Sequence, residues 1–121
     1  MKDHPFPAEL LLWTAGDGVV RPERLPELLS VVQADLSLRL EEYREHHECA
    51  YEDDHLVAFF VAGDHWTSIA DRLGFETGAV DATRSAHARL LLGLGADVGR
   101  AEEFDNALDV QDCVVIEKTA S

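Results

Sequence analysis

Lysine is nearly missing from this chain. Its 121 residues include two, Lys2 and Lys118, and the other eight basic residues are arginine, against 24 acidic residues. A net charge of −14 leaves no basic patch of the kind that nucleic-acid-binding surfaces usually present. Long apolar runs are missing as well. None approaches the roughly 20 residues that cross a bilayer, so no membrane association is expected. The N-terminus has one lysine and no apolar stretch ending in a cleavage-like site, which implies no signal peptide and a cytoplasmic location. Cysteine is scarce: Cys49 and Cys113 lie far apart, and in a cytoplasmic protein they are expected as reduced thiols rather than a disulfide. There is no G-x-S-x-G, no P-loop, no dinucleotide fingerprint and no H-E-x-x-H. Neither an enzyme nor a cofactor is expected.

What is present suits one domain over residues 1–121. The hydrophobic fraction of 46% can bury a single modest core. Surplus carboxylate with little lysine resembles the proteins of salt-loving archaea. Molar salt shortens the Debye length to about 3 Å, which screens the self-repulsion of such a surface. The charge is also uneven. Residues 1–63 carry 13 acidic and 5 basic residues, residues 64–100 carry 5 and 4, and residues 101–121 carry 6 and 1. The middle stretch is therefore the least repulsive to a polyanion.

The periodicities predict a mainly helical α+β fold. Phe6 to Ala15 reads as a first helix with Leu10, Leu11 and Trp13 as core, closed by Gly16-Asp17-Gly18. From Pro22 to His47, Leu25, Leu29, Val32, Leu36, Leu40 and Tyr43 recur at steps of four and three, one apolar stripe on a long amphipathic helix. Unbroken from Pro26 to His47 it would span about 33 Å. That is long for a small domain and implies a homodimer through this helix. Cys49 to Ala62 reads as a β-hairpin whose second segment is apolar on both alternations, with a buried helical turn as the competing assignment. Gly93-Leu94-Gly95 reads as a helix terminator, Arg100 to Leu108 as a short helix and Cys113-Val114-Val115-Ile116 as a strand pairing with the hairpin. Residues 118–121 form a loose tail.

The organising stretch is 64–92. Trp66, Ile69, Ala70 and Leu73 share one helical face, with Asp64 placed to cap it. Gly74 suits a left-handed helix end, and Phe75 can fold back over the turn. Thr77 is placed to cap a second helix with Val80, Thr83, His87, Leu90 and Leu91 inward. On Ile69, Ala70, Leu73, Gly74, Phe75 and Val80 the stretch resembles the helix-turn-helix superfamily, particularly the trihelical units of sigma-factor region 4 and of response-regulator domains. Thr83 departs from the pattern, where an apolar residue is usual, and implies looser packing. A strand pair before the helices and a strand after them resemble winged helix-turn-helix domains, without the hairpin wing directly after the second helix. The W-x-x-I-A-x-x-L-G shape also resembles death-fold domains, which bind proteins.

The resemblance implies a transcriptional regulator that binds double-stranded DNA. Thr77, Arg84 and Ser85 would face the groove, with Arg72 and Arg89 on phosphates. Asp81 opposes this role, and its three-residue spacing to Arg84 allows a local ion pair. The alternative is an acidic protein-interaction module that uses the same helices. His46, His47 and Cys49, with His55 and His65 nearby, are zinc-type ligands in a spacing that matches no finger pattern, so no metal site is assigned.

Overall fold

The computed structural model describes residues 24–118. The expected helix Phe6–Ala15 and the loose tail beyond residue 118 lie outside them. In order come α1 (Leu25–Leu38), α2 (Leu40–His46), β1 (Cys49–Glu52), β2 (Leu56–Val61), α3 (His65–Leu73), α4 (Thr77–Asp97), α5 (Ala101–Leu108) and β3 (Asp112–Glu117). The fold is α+β and mainly helical. The strands form an antiparallel meander, β1-β2-β3, with Ala58 opposite Val115 and Phe60 opposite Cys113.

All six residues of β2 are buried. Strand alternation sends Leu56, Ala58 and Phe60 to one face and Val57, Phe59 and Val61 to the other. Cys113 and Val115 of β3 join the first set, Val114 and Ile116 the second. Helices α4 and α5 cover the first face through Ala79, Ala82, Ala86, Leu90, Leu91 and Phe104. Helices α2 and α3 cover the second through Tyr43, Trp66 and Ile69. A strand covered on both sides needs apolar residues at every position, which is why this segment loses the usual alternation.

Helix α1 runs past the edge of the sheet. Its Leu25, Leu28 and Leu29 belong to the first core and its Val32 and Leu36 to the second. Between them the fully amide-bearing Gln33 meets the edge strand. Its Nε2 donates to Val115 O at 2.6 Å, and its Oε1 accepts from Glu117 N–H at 2.9 Å. Trp66 Nε1 donates to Cys113 O at 3.0 Å, and Val115 N–H donates to His87 Nδ1 at 2.8 Å. Side chains from three helices thus occupy the outward backbone groups of β3. An edge with its polar groups already paired is a poor template for another strand.

Four sequence expectations need correction. The Pro22–His47 stripe is not one helix. Arg39, at φ −111° and ψ 11°, separates α1 from α2, while the apolar spacing continues across the break. The stripe is consumed inside the molecule, so the overlong rod that suggested a homodimer through Pro26–His47 does not exist. Gly93-Leu94-Gly95 does not end the second helix; α4 runs on to Asp97, and Gly95 is buried where Phe104 packs against it. Neither expected cap is made: Asp64 forms no side-chain capping bond, and Thr77 is the first residue within α4, after Glu76. Thr83 does not loosen the core. It is fully buried, and its hydroxyl bonds Ala79 O at 3.1 Å and Val80 O at 3.0 Å, so its polarity is satisfied within its own helix.

Candidate functional site

The bend between α3 and α4 forms as its residues dictate. Gly74 adopts φ 72° and ψ 31°, a left-handed conformation that costs glycine little. Phe75 N–H then closes on Ala70 O at 2.9 Å, and Phe75 packs against both cores.

Beyond the bend, Thr77, Asp81, Arg84, Ser85 and Ala88 fall on one side of α4, because steps of three and four return to the same face. Thr77, Asp81 and Arg84 are exposed and Ser85 is half-buried. Arg89, twelve residues after Thr77, is turned about 120° away at 3.6 residues per turn and is half-buried. It does not share the outward stripe. Further along, the side containing Gly95 is covered by α5, so the exposed stripe is confined to the first turns of α4.

Carboxylates hold the arginines of this region. Arg84 lies 3.8 Å from Asp81 and 3.9 Å from Asp112 of β3. Burial raises the Asp112 carboxyl above the usual aspartate range, and Arg84 opposes that rise. Arg72 pairs with Asp35 of α1 through both Nε, at 3.0 Å, and Nη2. That two-point pairing holds Asp35 below the ordinary carboxylate range against the effect of burial, with Arg39 adding to it. The expected DNA-facing set is therefore divided. Thr77, Arg84 and Ser85 share a face, Arg89 turns aside, and Arg72 fastens α3 to α1.

Arg72 also lines a cavity that the sequence did not reveal. With Arg39, Glu42, Tyr43, His47 and His65 it bounds a space of about 60 Å³ between α2 and the start of α3. The three rings touch one another. Tyr43 and His47 have centroids 5.1 Å apart, Tyr43 and His65 5.4 Å, and His47 and His65 5.4 Å. Tyr43 stacks on Phe59 at 5.7 Å, which fixes this wall to the sheet. Burial pushes the Tyr43 phenol up to about 12, and burial first, then His47, lowers His65 from its ordinary value. The phenol therefore keeps its proton at neutral pH, and Tyr43 Oη and His65 Nε2 share a hydrogen bond of 2.5 Å. The available signal was the spacing of Arg39, Glu42, Tyr43 and His47 on one helical side; His47 and His65 drew notice only as metal ligands. Among the described residues no group of three or more His, Cys, Asp or Glu is placed to hold a metal ion. Cys49 is exposed, Cys113 is buried, and both are free thiols.

Over residues 4–118 the sequence matches the model of a domain of unknown function, DUF8048. The chain belongs to that family. No curated protein and no solved structure matches it. Among the described residues no helix is long and apolar enough to cross a membrane.

Proposed function

We propose that this DUF8048 member is an acidic protein-binding module, working in a salt-rich cytoplasm through the first turns of α4 and the adjoining end of β3. The observation that supports this most is the position of Arg84, between Asp81 and Asp112 at 3.8 and 3.9 Å. A phosphate reaching for that guanidinium would lie beside both carboxylates, and like charges at such range repel. A lysine or arginine of a partner protein meets the opposite situation, because it can take over a carboxylate that Arg84 now holds. Val110, two residues before Asp112 in the chain, is 84% exposed and offers an apolar side chain to a partner. In molar salt long-range steering is screened, so contacts at this range decide the affinity.

The test is affinity purification of the tagged protein from its host in molar potassium chloride. The wild type should retain a basic partner. Asp112→Lys should lose it, and Glu102→Lys, an exposed charge reversal on α5, should keep it. The same order should hold with purified components. Nucleic acid retained in place of protein, and lost in Arg84→Ala, would overturn this reading.

The second reading is the DNA-binding regulator. What favours it is the left-handed bend at Gly74 followed by Thr77, Arg84 and Ser85 on one side of α4. At molar ionic strength counterion release contributes little, so such a regulator would depend on those specific contacts. It requires that Arg84→Ala weaken binding to a specific duplex.

A further inference from the structure

We propose that the cavity between α2 and α3 is a binding site for a small tetrahedral oxyanion, a phosphate either free or at the end of a larger molecule. Two guanidiniums, those of Arg39 and Arg72, border this cavity. Asp35 needs one guanidinium, and Arg72 satisfies it at two points. Arg39 meets Asp35 through Nε at 3.5 Å and lies 3.9 Å from Glu42, so its guanidinium makes one hydrogen bond there to the two of Arg72. In a chain of net charge −14, this one cavity nevertheless gathers two of the ten Lys and Arg residues and two of the six histidines. A metal ion would face both guanidiniums, whereas an oxyanion would be drawn to them.

Size and donor chemistry agree. A space of about 60 Å³ takes a group the size of a phosphate. Guanidinium, imidazole and phenol groups all border it, and their several donors suit the four oxygens of a tetrahedral anion. Glu42 borders the cavity and Asp35 contacts both guanidiniums, so an anion there is held by the guanidiniums, imidazoles and phenol against two near carboxylates. The more distant carboxylates are screened in the expected salt, since the Debye length at 1 M is about 3 Å.

The ring contacts add a proton linkage. The His47 and His65 ring centroids lie 5.4 Å apart, and His47 opposes a charge on His65. The charged groups facing His65 are His47, Arg72, Asp64 and Glu42, with Tyr43 bonded to it and Arg39 across the cavity. An oxyanion among them offsets the repulsion and favours protonated imidazole. Once Nε2 carries a proton it donates to the Tyr43 oxygen, and the phenol hydrogen can turn to the ligand. Binding then takes up a proton and strengthens as pH falls.

Calorimetric titration with inorganic phosphate, in dilute buffer and in molar potassium chloride, tests this. The expected result is saturable one-to-one binding, weakened at least about tenfold by Arg39→Gln and by His47→Ala. Arg44→Gln, whose guanidinium instead pairs with Glu52, should bind as the wild type does. Sulfate does not titrate in this range and should bind several-fold more tightly near about pH 6 than near about pH 8, with the His65 ring resonance reporting the proton. Equal affinity for glycerol phosphate identifies a free anion, and higher affinity for the ester identifies a terminal phosphate; either outcome supports the site. No saturable binding in either medium, or equal binding in Arg39→Gln and His47→Ala, would overturn it. These outcomes do not depend on whether α4 meets protein or DNA.

Discussion

Val115 donates its backbone N–H to Nδ1 of His87 across 2.8 Å, at a point where both residues are fully buried. The bond requires a neutral imidazole with an unprotonated Nδ1. Burial lowers His87 to about 3, well under the ordinary histidine value. The Trp66 ring, 4.9 Å away and nearly edge-on, completes the surroundings.

A pH dependence of stability follows. The unfolded histidine titrates near about 6.5, so between that value and about 3 the unfolded chain holds a proton that folded His87 refuses. The contribution is complete above the upper value and is lost as pH falls, by up to roughly 1.4 kcal/mol per pH unit. His65, also lowered, acts in the same direction. Urea titrations in molar potassium chloride should show stability dropping from about pH 7 to about pH 5. His87→Gln keeps an acceptor for Val115 and should flatten that slope while costing about 1–3 kcal/mol near neutrality. An unchanged slope would remove His87 as its source.

Gln33 offers a second test. Replacing it with Leu leaves Val115 O and Glu117 N–H without their side-chain partners, at a cost of about 1–3 kcal/mol. It also reopens the edge of β3, so light scattering after mild heating should rise above that of the wild type. Loss of stability with no gain in association would show that the edge is guarded by something other than this amide.

Three glycines predict three outcomes. A Cβ at Gly95 would lie 2.6 Å from Phe104 Cδ2, so Gly95→Ala should destabilise by about 1–3 kcal/mol. Nothing lies within 4 Å of a Cβ at Gly93, inside the same helix, so Gly93→Ala should stabilise by about 0.5–1 kcal/mol. Gly74→Ala also has room but must hold φ 72°, and should cost about 1–2 kcal/mol. Thermal melts of the three variants read these signs directly.

These glycines show why parts of the fold were legible in the sequence and parts were not. Gly74 sits between two apolar periodicities, so the bend was visible locally. Gly95 looked like the same signal, but its cause is the close approach of Phe104, a tertiary fact. The strand at Cys113–Ile116 and the hairpin were visible because β-branched and two-faced apolar runs fit a covered sheet; the structure extends the strand by one residue at each end. The break at Arg39 was hidden because Leu36, Leu40 and Tyr43 keep helical spacing across it. The inward placement of His87 could be read from its face of α4, but its partner lies 28 residues away. The cavity was harder still, since its cations and rings come from separate helices whose meeting no spacing announces.

The central claim is that carboxylates close the outward face of α4 to nucleic acid and suit it to a basic protein. Selection of host genomic fragments by the purified protein in molar potassium chloride tests it most directly. The account predicts no enriched sequence, for the wild type and for Arg84→Ala alike. A discrete motif enriched by the wild type and lost in Arg84→Ala would contradict it.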